Sequence, residues 1–308
     1  MKNHLFTIRA MSPIHCGIGQ GLNDIDLPTA KSTVSGHPII PGSSIKGVLK
    51  DEFAERIGIV PDENKRKEYM KSLFGGDGGD DFASAISVGD ANLLALPVRS
   101  YFGTFAYLVS PYTLQLLKNQ LQRVFKDFKL PEIPEIGREN NGANYRVMIT
   151  GNSLLKSPDI QNRILLEELD LFIADKQSIA EEWATFISKM LFKDEEGQDL
   201  FIQHFAIVDD NVLNFLCDTG LPVDARIAID NETGTVKPGA LWYEETVPVE
   251  SIFIGIMGVD KSYNKNIKAD AGELSKILID AGTIHCQVGG KSTTGKGFVA
   301  LNFYKEEV

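Results

Sequence analysis

The chain of 308 residues has only three cysteines, Cys16, Cys217 and Cys286, far apart and without a C-x-x-C spacing. That argues against a zinc knuckle and a disulfide framework, and a reducing, cytoplasmic compartment fits such usage. No apolar run approaches the ~18 residues that a membrane-spanning helix needs. The opening MKNHLFTIRA brackets too short an apolar stretch between His4 and Arg9 for a secretory signal. Low-complexity segments and exact internal repeats are absent, because the 28 glycines and 13 prolines are scattered. Positive charge is in deficit: 31 Lys and Arg stand against 42 Asp and Glu, a net −11. As a sum, that disfavours a general nucleic-acid binder, whose surface is usually basic.

What is present suffices for a sizeable core. At 43% hydrophobic content, the length fits one large domain or two small ones. HLFTIRAMS alternates as a first strand does. PGSSIKGVLKDEFAERIG reads as a helix with Ser43 or Ser44 as N-cap and Gly58 as stop, its apolar face formed by Ile45, Val48, Leu49 and Phe53. DENKRKEYMKSLFG and YTLQLLKNQLQRVF read as further helices, AISVGDANLLAL as strand, and residues 127–146 as loop. Residues 159–217 read as mostly helical and acidic. RIAIDNETGTVKPGALWYEE has two β-prone runs around a turn-rich middle, which is a hairpin signal. SIFIGIMG is a buried strand, KADAGELSKILIDAG a helix, and IHCQVGG and GFVALNFY the closing strands. The fold class is therefore α+β or α/β.

Gly290–Gly297 reads G-K-S-T-T-G-K-G, close to the phosphate-binding G-x-x-x-x-G-K-[ST]. Gly297 stands where the Mg²⁺-binding Ser or Thr belongs, and strand-like GFVALNFY follows where a helix is required. Shifting the frame puts His285 at the first glycine. Neither frame makes an ATP site. The remaining readings are a plain glycine-rich connection, or a loop whose N–H groups, with Lys291 and Lys296, approach a polyanion.

Charge is unevenly placed. Residues 31–50 contain three lysines and no acid, and residues 281–304 contain two lysines and no acid. Lys46 and Lys50, four apart on one helical face, repel each other by a few tenths of a kcal/mol. A phosphate backbone along that face would relieve the repulsion; a solvated lysine face is the ordinary alternative.

Five segments in order carry a resemblance: HCGIGQGLNDIDLPTAKSTVSGHPIIPGSSIKG, IPGSSIKGVLKDEF, LPVRSYFGTFAYLVSP, ALWYEE and GGKSTTGKGFV. Together they resemble the RAMP superfamily of CRISPR proteins, and within it the repeated backbone subunits of the type III-B Cmr effector. The resemblance spans nearly the whole chain. It implies one α+β domain over residues 1–308, with a modified ferredoxin-like, RRM-related core built from the terminal segments. Helical and loop insertions would occupy about 59–217, and a protruding thumb hairpin about 222–246; residues 127–146 are a second candidate for an RNA-contacting loop. It further implies copies stacked along a CRISPR RNA beside other Cmr subunits, each thumb wedging into the guide–target duplex, and metal-dependent cutting of target RNA beside each wedge. Guide contacts are implied for Gly42, Ser43, Ser44, Lys46 and Lys50, and for Gly289, Gly290, Lys291 and Lys296. The cleaving carboxylate is implied to be Asp26, with Asp24 the lesser choice.

RNA scission can use the ribose 2′-OH as nucleophile once the backbone is splayed into line. A carboxylate then accepts its proton or holds a divalent ion, Mg²⁺ or Mn²⁺. His15 is an acid–base candidate, as a histidine titrates near neutral pH. Tyr243 and Glu244 are further catalytic candidates; hairpin packing is their alternative reading. Two other functions remain open: a backbone that binds guide RNA without cutting, and a stand-alone RAMP endoribonuclease that trims precursor RNA through His15.

Overall fold

The computed structural model describes residues 1–19, 21, 25–55, 60, 62–76, 82–125, 129–137, 145–174 and 177–305. The chain opens with β1 (Lys2–Ala10), β2 (Ile39–Ile40), α1 (Gly42–Glu55) and α2 (Glu63–Phe74). There follow β3 (Ile86–Val88), β4 (Ala91–Arg99), β5 (Phe105–Val109), α3 (Pro111–Val124), β6 (Arg146–Ile149), β7 (Arg163–Leu166) and β8 (Leu169–Ile173). Next come α4 (Gln177–Leu191), α5 (Glu195–His204), β9 (Phe205–Val208) and α6 (Asp210–Thr219). The hairpin β10 (Val223–Ile229) and β11 (Val236–Glu245) precedes β12 (Ile252–Val259), α7 (Ala271–Ile279), β13 (Ile284–Gln287) and β14 (Phe298–Phe303).

One mixed sheet organises the molecule, in the order β13-β14-β1-β12-β4-β5-β9-β6-β8-β7, with β2 on β4 and β3 on β12. Its first half is antiparallel throughout, β1 lying between β12 and β14. Two pairings, β5 with β9 and β6 with β8, are parallel. Strand side chains alternate between faces, so the sheet buries two cores. One holds Phe6, Ile8, Phe253 and Met257 under Leu49 and Phe53 of α1 and Leu274 and Leu278 of α7. The other holds Leu5, Ile252 and Ile254 under Leu114 and Leu121 of α3 and Trp183 and Ile187 of α4.

Sequence and structure part in two places, and a third expectation lies outside the described residues. Ser43 and Ser44 lie inside the first turn of α1 rather than capping it; the Gly42 N–H is taken by Asp90 Oδ1 at 2.8 Å, a carboxylate 48 residues away. The expected stop at Gly58 lies outside the described residues. The insertion at 59–217 is more than helices and loops, since it contributes β3 to β9 to the main sheet. Its short strands, such as the four-residue β6 and β9, give too few alternations to stand out in a helical, acidic background.

The hairpin falls where its two β-prone runs put it. Along β10 and most of β11, residues are exposed or half-buried; burial begins only at Glu244 and Glu245. The base of the hairpin is thus embedded while its length faces solvent.

Candidate functional site

Three strips of chain meet at that base: residues 14–19 and 25–31 after β1, the end of β11, and the glycine-rich loop between β13 and β14. Leu27 N–H donates to Tyr243 C=O at 3.0 Å, and Glu245 N–H donates to Leu27 C=O at 3.0 Å. Between these bonds, Asp26 Oδ2 accepts from the Tyr243 backbone N–H at 2.8 Å. The Asp26 carboxylate is thereby fixed to the hairpin although it belongs to a loop. A surface pocket of about 450 Å³ opens here, lined by Gly21, Asp26, Leu27, Gly239, Leu241, Trp242 and Lys291. Asp24 lies outside the described residues.

Glu244 sits beneath this pocket with its side chain only 3% exposed. Its Oε1 accepts from the Trp242 indole N–H at 2.7 Å and lies 2.7 Å from Lys291 Nζ. Its Oε2 lies 3.6 Å from Arg226 Nε and 3.7 Å from Lys296 Nζ. Burial alone would raise the acid's pKa; the bonds from Lys291 and Trp242 and the charges of Lys291 and Lys296 outweigh it and hold the group down at about 2. Glu244 is therefore a fixed anion, unsuited to accepting a proton near neutral pH.

Three expected RNA contacts have partners within the protein. Lys296 is buried and bound to Asp224 Oδ2 at 2.8 Å, so its charge is neutralised inside the protein. Gly289 has φ +87, and a Cβ there would come 2.5 Å from the His15 carbonyl oxygen; Gly290 N–H donates to that same oxygen at 2.8 Å. The close approach that these glycines permit is to protein backbone. The short Ser292–Thr294 turn leads into strand β14, as the sequence predicts, so the loop is not followed by the helix that a nucleotide-binding loop requires.

His15 is also enclosed. It is 4% exposed, and its Nδ1 pairs with the Glu245 carbonyl at 2.8 Å, which is the role of a structural histidine. Glu245 in turn accepts from Thr29 N–H at 3.0 Å and pairs with Lys31 at 3.0 Å. Tyr243 contributes its backbone to Asp26, while its side chain is exposed. On α1, Ser43 is exposed and Ser44, Lys46 and Lys50 are half-buried, with Gly42 buried beneath them. Asp90 already supplies negative charge at the helix start, which weakens that end as a phosphate site. Sequence reasoning missed Trp242, Asp224 and Arg226, whose importance depends on hairpin pairing that no spacing reveals.

Among the described residues, no three or more His, Cys, Asp or Glu side chains gather as a metal cluster. Asp26 still offers one carboxylate on the pocket wall, and a hard divalent ion such as Mg²⁺ is commonly held by one or two carboxylates plus substrate phosphate and water. None of the helices among the described residues is long and apolar enough to cross a membrane.

Fold and site define a class: mixed α/β proteins with one large sheet, an exposed hairpin, and a loop carboxylate fixed at the hairpin's base. A family model described as the RAMP superfamily matches residues 7–300, and the chain belongs to that superfamily. It is 32% identical over 309 residues to the CRISPR system Cmr endoribonuclease Cmr4 of Pyrococcus furiosus, covering 98% of this chain and 95% of that protein. The crystal structure of oligomeric Cmr4 from Pyrococcus furiosus matches with a TM-score of 0.72 at 26% identity, over 100% of both chains. A chain of a Type III-B Cmr-beta complex bound to cognate target RNA shares the fold, with a TM-score of 0.70 at 20% identity, over 98% of this chain and 97% of that one.

Proposed function

We propose that this chain is a repeated backbone subunit of a type III-B Cmr effector that assembles along a CRISPR RNA and cleaves the complementary target RNA at regular intervals. The observation that carries the cleavage site is the Asp26 carboxylate held by the Tyr243 N–H on the wall of an open pocket, at the root of an exposed hairpin. A wedge at that root would splay the target strand beside the carboxylate. Asp26 would then take the 2′-OH proton as that oxygen attacks the adjacent phosphorus. The alternative role for Asp26 is to hold a divalent ion, Mg²⁺ or Mn²⁺, which would supply charge stabilisation at the phosphate.

The rest of the molecule supports the same reading. The order β4-β12-β1-β14, antiparallel throughout, with α1 after β1 and α7 after β12, supports a reading as a ferredoxin-like core extended by inserted strands within a single domain. In this reading Ser43, Lys46 and Lys50 on α1 would follow a guide backbone. Partners are then the CRISPR RNA, the target RNA, further copies of this chain and the other Cmr subunits, within the cytoplasm and away from membranes. Trimming of precursor RNA through His15 is disfavoured by the enclosure of that ring.

The test is to mix the reconstituted complex with an end-labelled complementary RNA and map the products. Evenly spaced cuts support a row of identical sites. A single cut at one end of the guide, or cutting of the guide precursor itself, contradicts the proposal.

A further inference from the structure

We infer that Lys291 is a second catalytic residue of the Asp26 site, its ammonium stabilising the charge that builds on the non-bridging oxygens of the scissile phosphate. The inference rests on the RNA-cleavage reading above. Lys291 and Asp26 line the same pocket from different strips of chain. Lys291 has φ 65 and ψ 29, a left-handed backbone that a residue with a Cβ seldom adopts. Such outliers persist where surrounding structure holds them, and they gather at functional sites.

What holds Lys291 is visible. Its Nζ lies 2.7 Å from Glu244 Oε1, the oxygen that also accepts from Trp242. The Trp242 ring centroid lies 6.0 Å from the same Nζ. Around Glu244 and Asp224 stand Lys291, Lys296 and Arg226, three cations against two carboxylates, which leaves one net positive charge. Lys296 is sealed inside at 5% side-chain exposure, and Arg226 is shared between both acids. Lys291 keeps 33% of its side chain exposed and is the cation of this group that reaches the pocket.

A lysine meant only to grip RNA has no need of a buried carboxylate that fixes the direction of its ammonium. The arrangement suits a different task. An ammonium aimed by a rigid partner needs no reorganisation when charge develops. Its residual positive charge is attracted more strongly to the more highly charged pentacoordinate state than to the singly charged ground state, which is the difference that accelerates a reaction. In the step, the bond from O2′ to phosphorus forms and the bond from phosphorus to O5′ breaks. The 2′-OH proton passes to Asp26, and O5′ takes a proton from water. Lys291 transfers no proton.

The experiment uses the reconstituted complex carrying Lys291→Cys, with single-turnover cleavage measured on pre-bound complementary RNA. The rate is expected to fall about 10²-fold with target affinity nearly unchanged. Aminoethylation of the Lys291→Cys chain before assembly restores an ammonium of similar reach, and is expected to return most of the rate. Native cysteines do not interfere: Cys16, Cys217 and Cys286 are buried, and burial pushes the Cys16 and Cys217 thiols up to about 12. If that variant does not assemble, Lys291→Met, which keeps the stem over Trp242, is read in its place and is expected to be equally slow. A wild-type rate in the neutral variant overturns the inference, as does weakened target binding with an unchanged rate at saturation, or a slow rate that aminoethylation leaves slow. Asp26→Asn runs beside it. If Asp26→Asn is inactive while Lys291→Cys cuts normally, only the role of Lys291 fails; if Asp26→Asn cuts normally, the cleavage reading itself fails.

Discussion

The Tyr243 backbone N–H donates to Asp26 Oδ2 at 2.8 Å, and the Tyr243 carbonyl accepts from Leu27 N–H at 3.0 Å. One residue of the hairpin thus brackets the catalytic candidate through main-chain atoms alone. The loop carboxylate and the hairpin root are a single unit, so displacement of one moves the other.

Because Tyr243 acts through its backbone, Tyr243→Phe is expected to cut target RNA within about threefold of the wild-type rate, the spread of a surface change away from the chemistry. Tyr243→Pro removes the N–H and is expected to lose cleavage beyond any loss of stability. Single-turnover rates of assembled complexes distinguish the two; a large loss in Tyr243→Phe would assign the hydroxyl a role.

Glu244 links stability to pH. Its carboxyl is lowered from an ordinary 4.5 to about 2, so the folded state binds the proton less readily than the unfolded chain. Its stabilisation is fully present above the unfolded value near 4.5 and is lost as pH falls from there through about 2. Glu244→Gln, which takes one carboxylate from the buried Lys296 and the half-buried Lys291, is expected to cost about 3 kcal/mol at pH 7. Urea unfolding of both proteins should show that gap shrinking below pH ~4.5. A gap of constant size down to pH ~2.5 would contradict the assigned charge state.

On α1, Lys46→Ala combined with Lys50→Ala is expected to weaken guide binding. Every phosphate that is no longer neutralised lowers the slope of log K against log salt by about 0.7 for single-stranded RNA. Titrations at several salt concentrations check this, and an unchanged slope would return both lysines to an ordinary solvated face.

The glycine-rich loop allows a paired comparison. At Gly297, φ is +86 and a Cβ would lie 2.3 Å from the Val288 carbonyl oxygen; at Gly295, φ is +79 with no atom within 4 Å of a Cβ. Gly297→Ala is expected to cost roughly 2–3 kcal/mol, from backbone strain plus the clash, and Gly295→Ala about 1 kcal/mol from strain alone. Thermal melts that rank them in the opposite order would contradict the described loop.

Much of the fold was legible because its signals are local. The alternation in HLFTIRAMS, the turn-rich centre of the hairpin and the helical run DENKRKEYMKSLFG all act within a few residues. The site was less legible because its bonds are not local. Asp26 meets Tyr243 across 217 residues, Gly42 meets Asp90 across 48, and Lys296 meets Asp224 across 72. By composition, the lysines and glycines of the last loop leave open a plain connection or a loop that approaches a polyanion. Only the packing against His15 and the carboxylates of the hairpin root shows that Gly289 and Lys296 serve the protein's interior. Asp26 was singled out by family resemblance; its backbone partner could not be read from the sequence.

The central claim is that Asp26 performs the cleavage, and single-turnover cutting of an end-labelled complementary RNA by the Asp26→Asn complex tests it most directly. A gel-shift measurement of target binding accompanies it. The substitution keeps the side chain's size and its bond from Tyr243 but removes the charge that a proton acceptor or metal ligand needs. The account predicts a rate at least about 10²-fold below wild type with target binding intact, and wild-type cutting that stops in EDTA and returns with Mg²⁺ or Mn²⁺. An Asp26→Asn complex that binds its target and cuts it at the wild-type rate would contradict the account.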